Sequence, residues 1–426
     1  MIQEMATLVK ARDRVRVRGG NRLSGRLRVS GAKNAAVALL PAALLASGPV
    51  ELAQVPEITD VEVMVSILRK LGAQVDFEDG VARVWPEGPI SYEVPYEDAK
   101  RVRASSLLLG ALLARLGRAV VPLPGGCDIG PRPLDLHLKG LAELGARVRV
   151  EHGYVVAEAD RLVGSEIYLD FPSVGATENL MMAATAAEGT TVIYNAAKEP
   201  EVVDLANFLT AMGARVVGAG TDLVRIQGGS RLVGTSYTII PDRIEAGTYL
   251  LAALVTRGEI VLENVIPKHL ESLLAKLEEA GARIEVGLDY LAASCPRRPS
   301  AISVKTLPYP GFPTDLQPQL TAFLLTAEGT SIVTERVFED RFRHVDELKR
   351  MGAHIRTDSR TAIIHGVERL TGAPVTATDL RTGAALVIAA LSAAGESIID
   401  QFHHVRRGYD RMVEKLAELG ADIEYW

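Results

Sequence analysis

Cysteine is scarce in this 426-residue chain: Cys127 and Cys295 are too few for a disulfide framework and lack the paired spacing of a zinc site. The eight histidines form no HExxH or HxxxH pair, so no metal is expected. Long apolar runs are also missing. The longest, residues 35–46, is too short to cross a bilayer and is interrupted by Pro41. The opening MIQEMATLVKARDR has no apolar core and no cleavage pattern, so no secretory leader is read there and a cytoplasmic protein is expected. There is no excess of basic charge. A formal net charge of -6 argues against a general nucleic-acid or anionic-membrane surface, though not against a local basic pocket. Gly218 and Gly220 in VGAGTD are not part of a GxGxxG, and SGAKNAA is not a phosphate-binding P-loop, so no nucleotide cofactor is expected.

What the chain does contain is a repeat. One phrase recurs as LRKLGAQVDF, LAELGARVRV, FLTAMGARVVG, LEEAGARIEV, LKRMGAHIRT and LAELGADIEYW, with its glycines at Gly72, Gly145, Gly213, Gly281, Gly352 and Gly420. A second phrase interleaves with it, with glycines at Gly48, Gly117, Gly189, Gly258, Gly329 and Gly395. Both have helical apolar spacing, then a glycine where a helix stops, then a strand-like run. The glycines read as helix C-caps and the apolar positions as core. The architecture is therefore α/β, with six αβ units, three per domain, and the halves meeting near residue 240.

Each unit places a polar loop just before its long apolar helix: SGAKNAA, KRVRASS, FPSVGATEN, PDRIEAGT, GFPTDLQ and TDLRTGA. Core building does not require Lys33, Arg103, Ser173, Asp242, Arg243, Asp315 or Arg381 at these places. Helix N-termini favour anions, so the loops are candidate anion sites. Taken singly, Ser173, Thr177 and Asp315 read equally well as N-caps. Cys127 stands apart, in the loop PLPGGCDIGPRP. Gly125 and Gly126 permit close backbone approach there. A nearby Arg132 lowers a thiol pKa and Asp128 raises it, so the residues alone leave Cys127 either inert or reactive. Cys295, in SCPRRPS, reads as an inert thiol.

SGAKNAA, VRASSLLLG, LPGGCDIGPRPLDLH, FPSVGATEN, PDRIEAGT, FPTDLQ, ATDLR and RRGYDR occur here in the order found in the UDP-N-acetylglucosamine 1-carboxyvinyltransferases, a family of enolpyruvyl transferases that this chain resembles from about Val15 to its end. Val102 stands where the family commonly has Met. The resemblance implies two similar inside-out α/β domains, residues 33–240 and residues 1–32 with 241–426. It implies transfer of the enolpyruvyl group of phosphoenolpyruvate to the 3-hydroxyl of UDP-N-acetylglucosamine, with loss of phosphate and no cofactor. Enolpyruvylshikimate-phosphate synthase, with the same fold and donor, is the alternative. Its GSKS-type loop differs from GAKN here, and it lacks the GGC loop.

By the same resemblance, Lys33 and Asn34 touch phosphoenolpyruvate, and Arg132 and Arg407 help hold its phosphate and carboxylate. Arg103, Arg132, Pro133, Leu134, Asp135, Leu136, Phe171, Pro172, Ser173, Val174, Asp315 and Val337 line the sugar nucleotide. Arg341 and Arg381 are further anion contacts. Cys127 is the proton donor to carbon 3 of phosphoenolpyruvate and can attack carbon 2, both tasks suited to a thiol. Asp315 is either the base near the 3-hydroxyl or the group that positions it.

Overall fold

A computed structural model of the protein describes residues 13–123 and 134–426. The chain divides into two compact units. Among the described residues, one unit holds residues 13–30 and 241–426 and the other holds 31–123 and 134–240.

The same sheet recurs in both units. In the unit of residue 31 onward, Val50–Ala53 pairs parallel with Ser236–Thr238 and antiparallel with Val81–Trp85, whose other edge takes Gln74–Glu78. Thr190–Tyr194 stands likewise between parallel Glu166–Tyr168 and antiparallel Leu223–Gln227. The sheet of Arg118–Pro122, Tyr154–Glu158 and Arg147–Glu151 has three strands among the described residues, with a single parallel bridge from Glu93 to Val120 where its siblings have an edge strand.

The other unit repeats the pattern around Glu259–Glu263, Thr330–Thr334 and Glu396–Asp400. Here the N-terminal segment supplies two strands. Ser24–Arg28 runs parallel to Glu259–Glu263, and Arg14–Arg18 inserts antiparallel between Glu396–Asp400 and Asp422–Tyr425. The alternation RVRVR explains the second insertion: Val15 and Val17 are fully buried while Arg14 and Arg18 face water.

Three helices fill the middle of each unit. They are Lys33–Ala42, Leu108–Leu116 and Val174–Ala184 in one, and Arg243–Val255, Gln317–Leu324 and Leu380–Ser392 in the other. A helix apolar on all sides belongs in a core. Gln317–Leu324 is buried at every residue, and Leu380–Ser392 is buried from Arg381 to Leu391. The outer helices are amphipathic. Thr59–Leu71 buries one face, with Asp60 and Glu62 in its first turn and Arg69 and Lys70 in its last, the charge order that a helix dipole favours.

All six glycines of the first phrase have φ between 86° and 110°, the left-handed turn that ends a helix. In the second phrase Gly117 caps its helix in this way; Gly189, Gly329 and Gly395 are left-handed too but lie beyond the helix caps Thr185, Leu325 and Ala393, and Gly48 and Gly258 are not left-handed. Arg257 takes the left-handed conformation instead, with φ 58°. Gly258 is needed for space, because a Cβ there would lie 2.0 Å from the Leu23 carbonyl oxygen.

Gly72 needs both allowances: its φ is 109° and a Cβ would sit 2.5 Å from the Pro89 carbonyl oxygen. Gly72→Ala is expected to cost about 1–3 kcal/mol in strain. Gly281→Ala, where a Cβ meets nothing within 4 Å, pays only the backbone term. Thermal melting should rank Gly72→Ala below Gly281→Ala. Equal midpoints would contradict this account.

Candidate active site

Asp315 lies in the turn Thr314–Leu316, which Pro313 precedes and which leads into the buried helix Gln317–Leu324. It caps no helix. Its carboxylate instead receives two arginines: Arg341 Nη2 donates to Oδ1 at 2.8 Å and Arg381 Nη2 to Oδ2 at 2.9 Å. Both arginines are 5% exposed, whereas the Asp315 side chain keeps 26% of its surface open. A carboxylate held at both oxygens has its orientation set from two sides. Arg341 Nε is buried without a hydrogen-bond partner among the described residues.

Arg381 is placed by its helix. Asp379, the N-cap, accepts from the Arg381 and Thr382 backbone N–H groups at 2.9 and 3.1 Å. Burial pushes the Asp379 carboxyl up, but the Thr382 hydroxyl, Arg341 and the helix N–H groups more than offset it and leave it below its ordinary value. The Arg381 guanidinium also donates to Tyr409 Oη at 3.2 Å. Burial works against its charge, and Asp315, Tyr409 and Asp242 outweigh burial, so it sits above its ordinary value.

Tyr409 joins all three central helices of this unit. Gln319 Nε2 donates to its hydroxyl at 3.0 Å, and Thr248 Oγ1 lies 2.9 Å away. Thr248 gives its own proton to the Ile244 carbonyl at 2.8 Å, so Tyr409 is the donor to Thr248. Asp242 is the N-cap of Arg243–Val255 and accepts from the Ile244 and Glu245 N–H groups at 2.7 and 2.9 Å. Arg407 is half-buried at the end of the short helix His403–Arg406.

Val337 is set by an acid that sequence reasoning missed. Glu335 accepts from the Val337 N–H at 2.7 Å and from the Thr314 hydroxyl at 2.9 Å. Nothing in the strand TSIVT before Glu335 signals partners 21 and 29 residues away. Tyr409 was visible in RRGYDR, but its link to Thr248 and Gln319 was not.

In the other unit Lys33 opens its central helix, and its ammonium pairs with Asp60 at 2.9 Å. Asn34 follows it, half-buried. Ser173 does cap Val174–Ala184: its oxygen accepts from the Ala176 N–H at 3.3 Å. Thr177 is no cap; its hydroxyl donates to the Ser173 carbonyl at 2.8 Å and accepts from the Ala197 N–H at 3.1 Å. Phe171 is 44% exposed, and Pro172 and Val174 are half-buried. Leu134 is buried, Asp135 exposed and Leu136 half-buried at the start of Asp135–Glu143. Cys127, Arg132 and Pro133 lie outside the described residues.

His137, on that helix, is 6% exposed. Asn179 Oδ1 accepts from the Gly110 N–H at 2.7 Å, which turns its amide nitrogen toward His137 Nδ1 at 2.8 Å. His137 therefore accepts at Nδ1 and carries its proton on Nε2. Burial, helped by the charge of Arg103, pushes it down to about 4. Between the unfolded value near 6.5 and about 4, the unfolded chain binds a proton that the native protein refuses. This group's contribution is thus present at neutral pH and lost as pH falls, at up to about 1.4 kcal/mol per pH unit. His137→Gln should flatten the pH–stability curve over that window. Two parallel curves from denaturant titration would show that His137 titrates normally.

The chain matches the family described as EPSP synthase (3-phosphoshikimate 1-carboxyvinyltransferase) over residues 17–416. It is 55% identical to UDP-N-acetylglucosamine 1-carboxyvinyltransferase 2 of Carboxydothermus hydrogenoformans, over 96% of this chain and 98% of the relative. It is 53% identical to UDP-N-acetylglucosamine 1-carboxyvinyltransferase of Halothermothrix orenii, over the same shares. Among solved structures, the enolpyruvyl transferase NikO from Streptomyces tendae superposes with a TM-score of 0.88 at 29% identity, covering 96% of this chain and 98% of that one. EPSP synthase from Acinetobacter baumannii gives 0.75 at 19% identity, covering 96% of this chain and 99% of that one, a likeness of fold alone. These matches run over nearly the whole chain, and the chain belongs to the UDP-N-acetylglucosamine 1-carboxyvinyltransferase family of enolpyruvyl transferases.

Proposed function

We propose that Asp315, Arg341 and Arg381 form the acceptor side of the site in which this enzyme carries out its reaction. The enzyme transfers the enolpyruvyl group of phosphoenolpyruvate to the 3-hydroxyl of UDP-N-acetylglucosamine, the committing step of peptidoglycan synthesis. The observation that carries the site assignment is the clamped, partly open carboxylate of Asp315. A carboxylate oriented by two guanidiniums and still in part exposed is suited to accept a hydroxyl proton.

The reaction then runs in two balanced steps. As Asp315 takes the 3-hydroxyl proton, the sugar oxygen bonds to carbon 2 of phosphoenolpyruvate, and the double-bond electrons take a proton at carbon 3 from Cys127. In the second step a proton leaves carbon 3 for the Cys127 thiolate, the double bond re-forms, and the bond from carbon 2 to the phosphate oxygen breaks, the departing phosphate taking up the proton held by Asp315. Both substrates are anions. Lys33 and Asn34, with Arg132 and Arg407, hold phosphoenolpyruvate.

The sugar nucleotide lies along Arg103, Arg132, Pro133, Leu134, Asp135, Leu136, Phe171, Pro172, Ser173, Val174 and Val337. Ser173 accepts at its oxygen as a cap and keeps its own proton to donate. The Val337 N–H is already taken by Glu335, so this residue offers its side chain and carbonyl. Both substrates are water-soluble, and the cytoplasm is the proposed place of the reaction; no helix among the described residues is long and apolar enough to cross a membrane. The test is product analysis. Mass spectrometry should find the enolpyruvyl ether of UDP-N-acetylglucosamine in one-to-one ratio with phosphate; phosphate without the ether would mean that the chain only hydrolyses the donor.

A further inference from the structure

Glu335 closes the strand Thr330–Thr334 and is 1% exposed. Its carboxylate accepts four hydrogen bonds. Oε1 takes the Thr306 hydroxyl at 2.6 Å, the Val337 N–H at 2.7 Å and the Phe338 N–H at 3.2 Å. Oε2 takes the Thr314 hydroxyl at 2.9 Å. None of these donors is charged. Thr306 closes the set by accepting the Arg336 N–H at 2.8 Å. A buried carboxylate is a costly way to hold a loop unless its oxygens are satisfied, and hydrogen bonds to a charged acceptor are about twice as strong as neutral ones.

We propose that Glu335 is a positioning residue for acceptor binding and deprotonation, joining the turn that carries Asp315 to the segment that carries Val337. The inference rests on the reading of Asp315 and Val337 given above. Thr314 is the neighbour of Asp315 in a three-residue turn, so moving one moves the other. Arg341 and Arg381 fix the far side of the Asp315 carboxylate; Glu335, through Thr314, fixes its backbone. The same carboxylate sets the course of residues 336–338, just before Arg341. One side chain thus spaces the base from the wall of the acceptor pocket. Misplacement by about 1 Å can cost on the order of 10²-fold in rate.

Steady-state kinetics on folded protein, with both substrates varied, tests this. Glu335→Ala should lower kcat by roughly 10- to 100-fold and raise KM for UDP-N-acetylglucosamine, while KM for phosphoenolpyruvate stays unchanged. Glu335→Gln keeps an oxygen for Thr306 and Val337, and the Thr314 hydroxyl can turn to accept from its amide, so this variant should stay within a few-fold of wild type. Thr314→Val loosens only the Asp315 turn and should lower kcat with little change in acceptor KM. Wild-type kinetics in Glu335→Ala, with only the melting midpoint lowered, would make Glu335 merely structural and overturn the proposal. If Glu335→Ala does not fold, wild-type kcat in Thr314→Val overturns it instead. Asp315→Asn run alongside separates the two readings. A fast Asp315→Asn with a slow Glu335→Ala removes the base but keeps the positioning; a slow Asp315→Asn with a fast Glu335→Ala removes the positioning alone.

Discussion

Cys127→Asp is expected to retain measurable transferase activity, while Cys127→Ala loses most of it. The two duties assigned to this thiol have different chemical needs. Protonating carbon 3 needs an acid, and an aspartate serves if a closed, dry site raises its pKa. Forming a covalent bond to carbon 2, or opening the epoxide of fosfomycin, needs a sulfur nucleophile. Fosfomycin, which by family resemblance alkylates this sulfur, should therefore inactivate wild type with time and spare Cys127→Asp.

The other thiol supplies the control. Cys295 is 1% exposed, and its sulfur donates to the Arg297 carbonyl at 3.4 Å. Burial pushes its pKa up, with only a partial offset from Arg257, which makes it a poor nucleophile. Cys295→Ala should keep both activity and inactivation. The readout is phosphate release after timed incubation, with the intact mass of each protein. A mass increment that persists in Cys127→Asp and vanishes in Cys295→Ala would place the reactive thiol at Cys295.

Asp315→Asn should reduce turnover by roughly 10²- to 10⁴-fold, the usual loss for a general base, and weaken acceptor binding far less. Asparagine keeps the shape and one acceptor oxygen for a guanidinium, but its amide nitrogen faces the other arginine as donor against donor. It cannot take a proton. Calorimetry with UDP-N-acetylglucosamine and kcat at saturation separate the two effects. Binding lost with kcat near wild type would make Asp315 a binding residue only.

The α/β class and its repeat were legible because the helix stops are local. A glycine after a run of helical apolar spacing is read within ten residues, and all six glycines of the first phrase adopt the left-handed turn. Where that reading failed, the cause was not local: Gly258 is small because the Leu23 backbone crosses it, from 235 residues away. The site shows the same divide. Motif resemblance named Asp315, Arg341 and Arg381, and the structure brings them together. The cap reading of Asp315 fell because Pro313 precedes the turn and both carboxylate oxygens face arginines. Glu335 and the Tyr409 network stayed hidden because a strand-end acid or a buried tyrosine takes its meaning from partners in other repeats.

The most direct measurement is the acceptor dependence of phosphate release from phosphoenolpyruvate, with UDP-N-acetylglucosamine and shikimate 3-phosphate tested side by side. Both acceptors suit the fold, so only the residues around the acceptor hydroxyl decide between them. Release that requires UDP-N-acetylglucosamine and is absent with shikimate 3-phosphate is the predicted result. Release driven by shikimate 3-phosphate, or equal release with no acceptor at all, would contradict it.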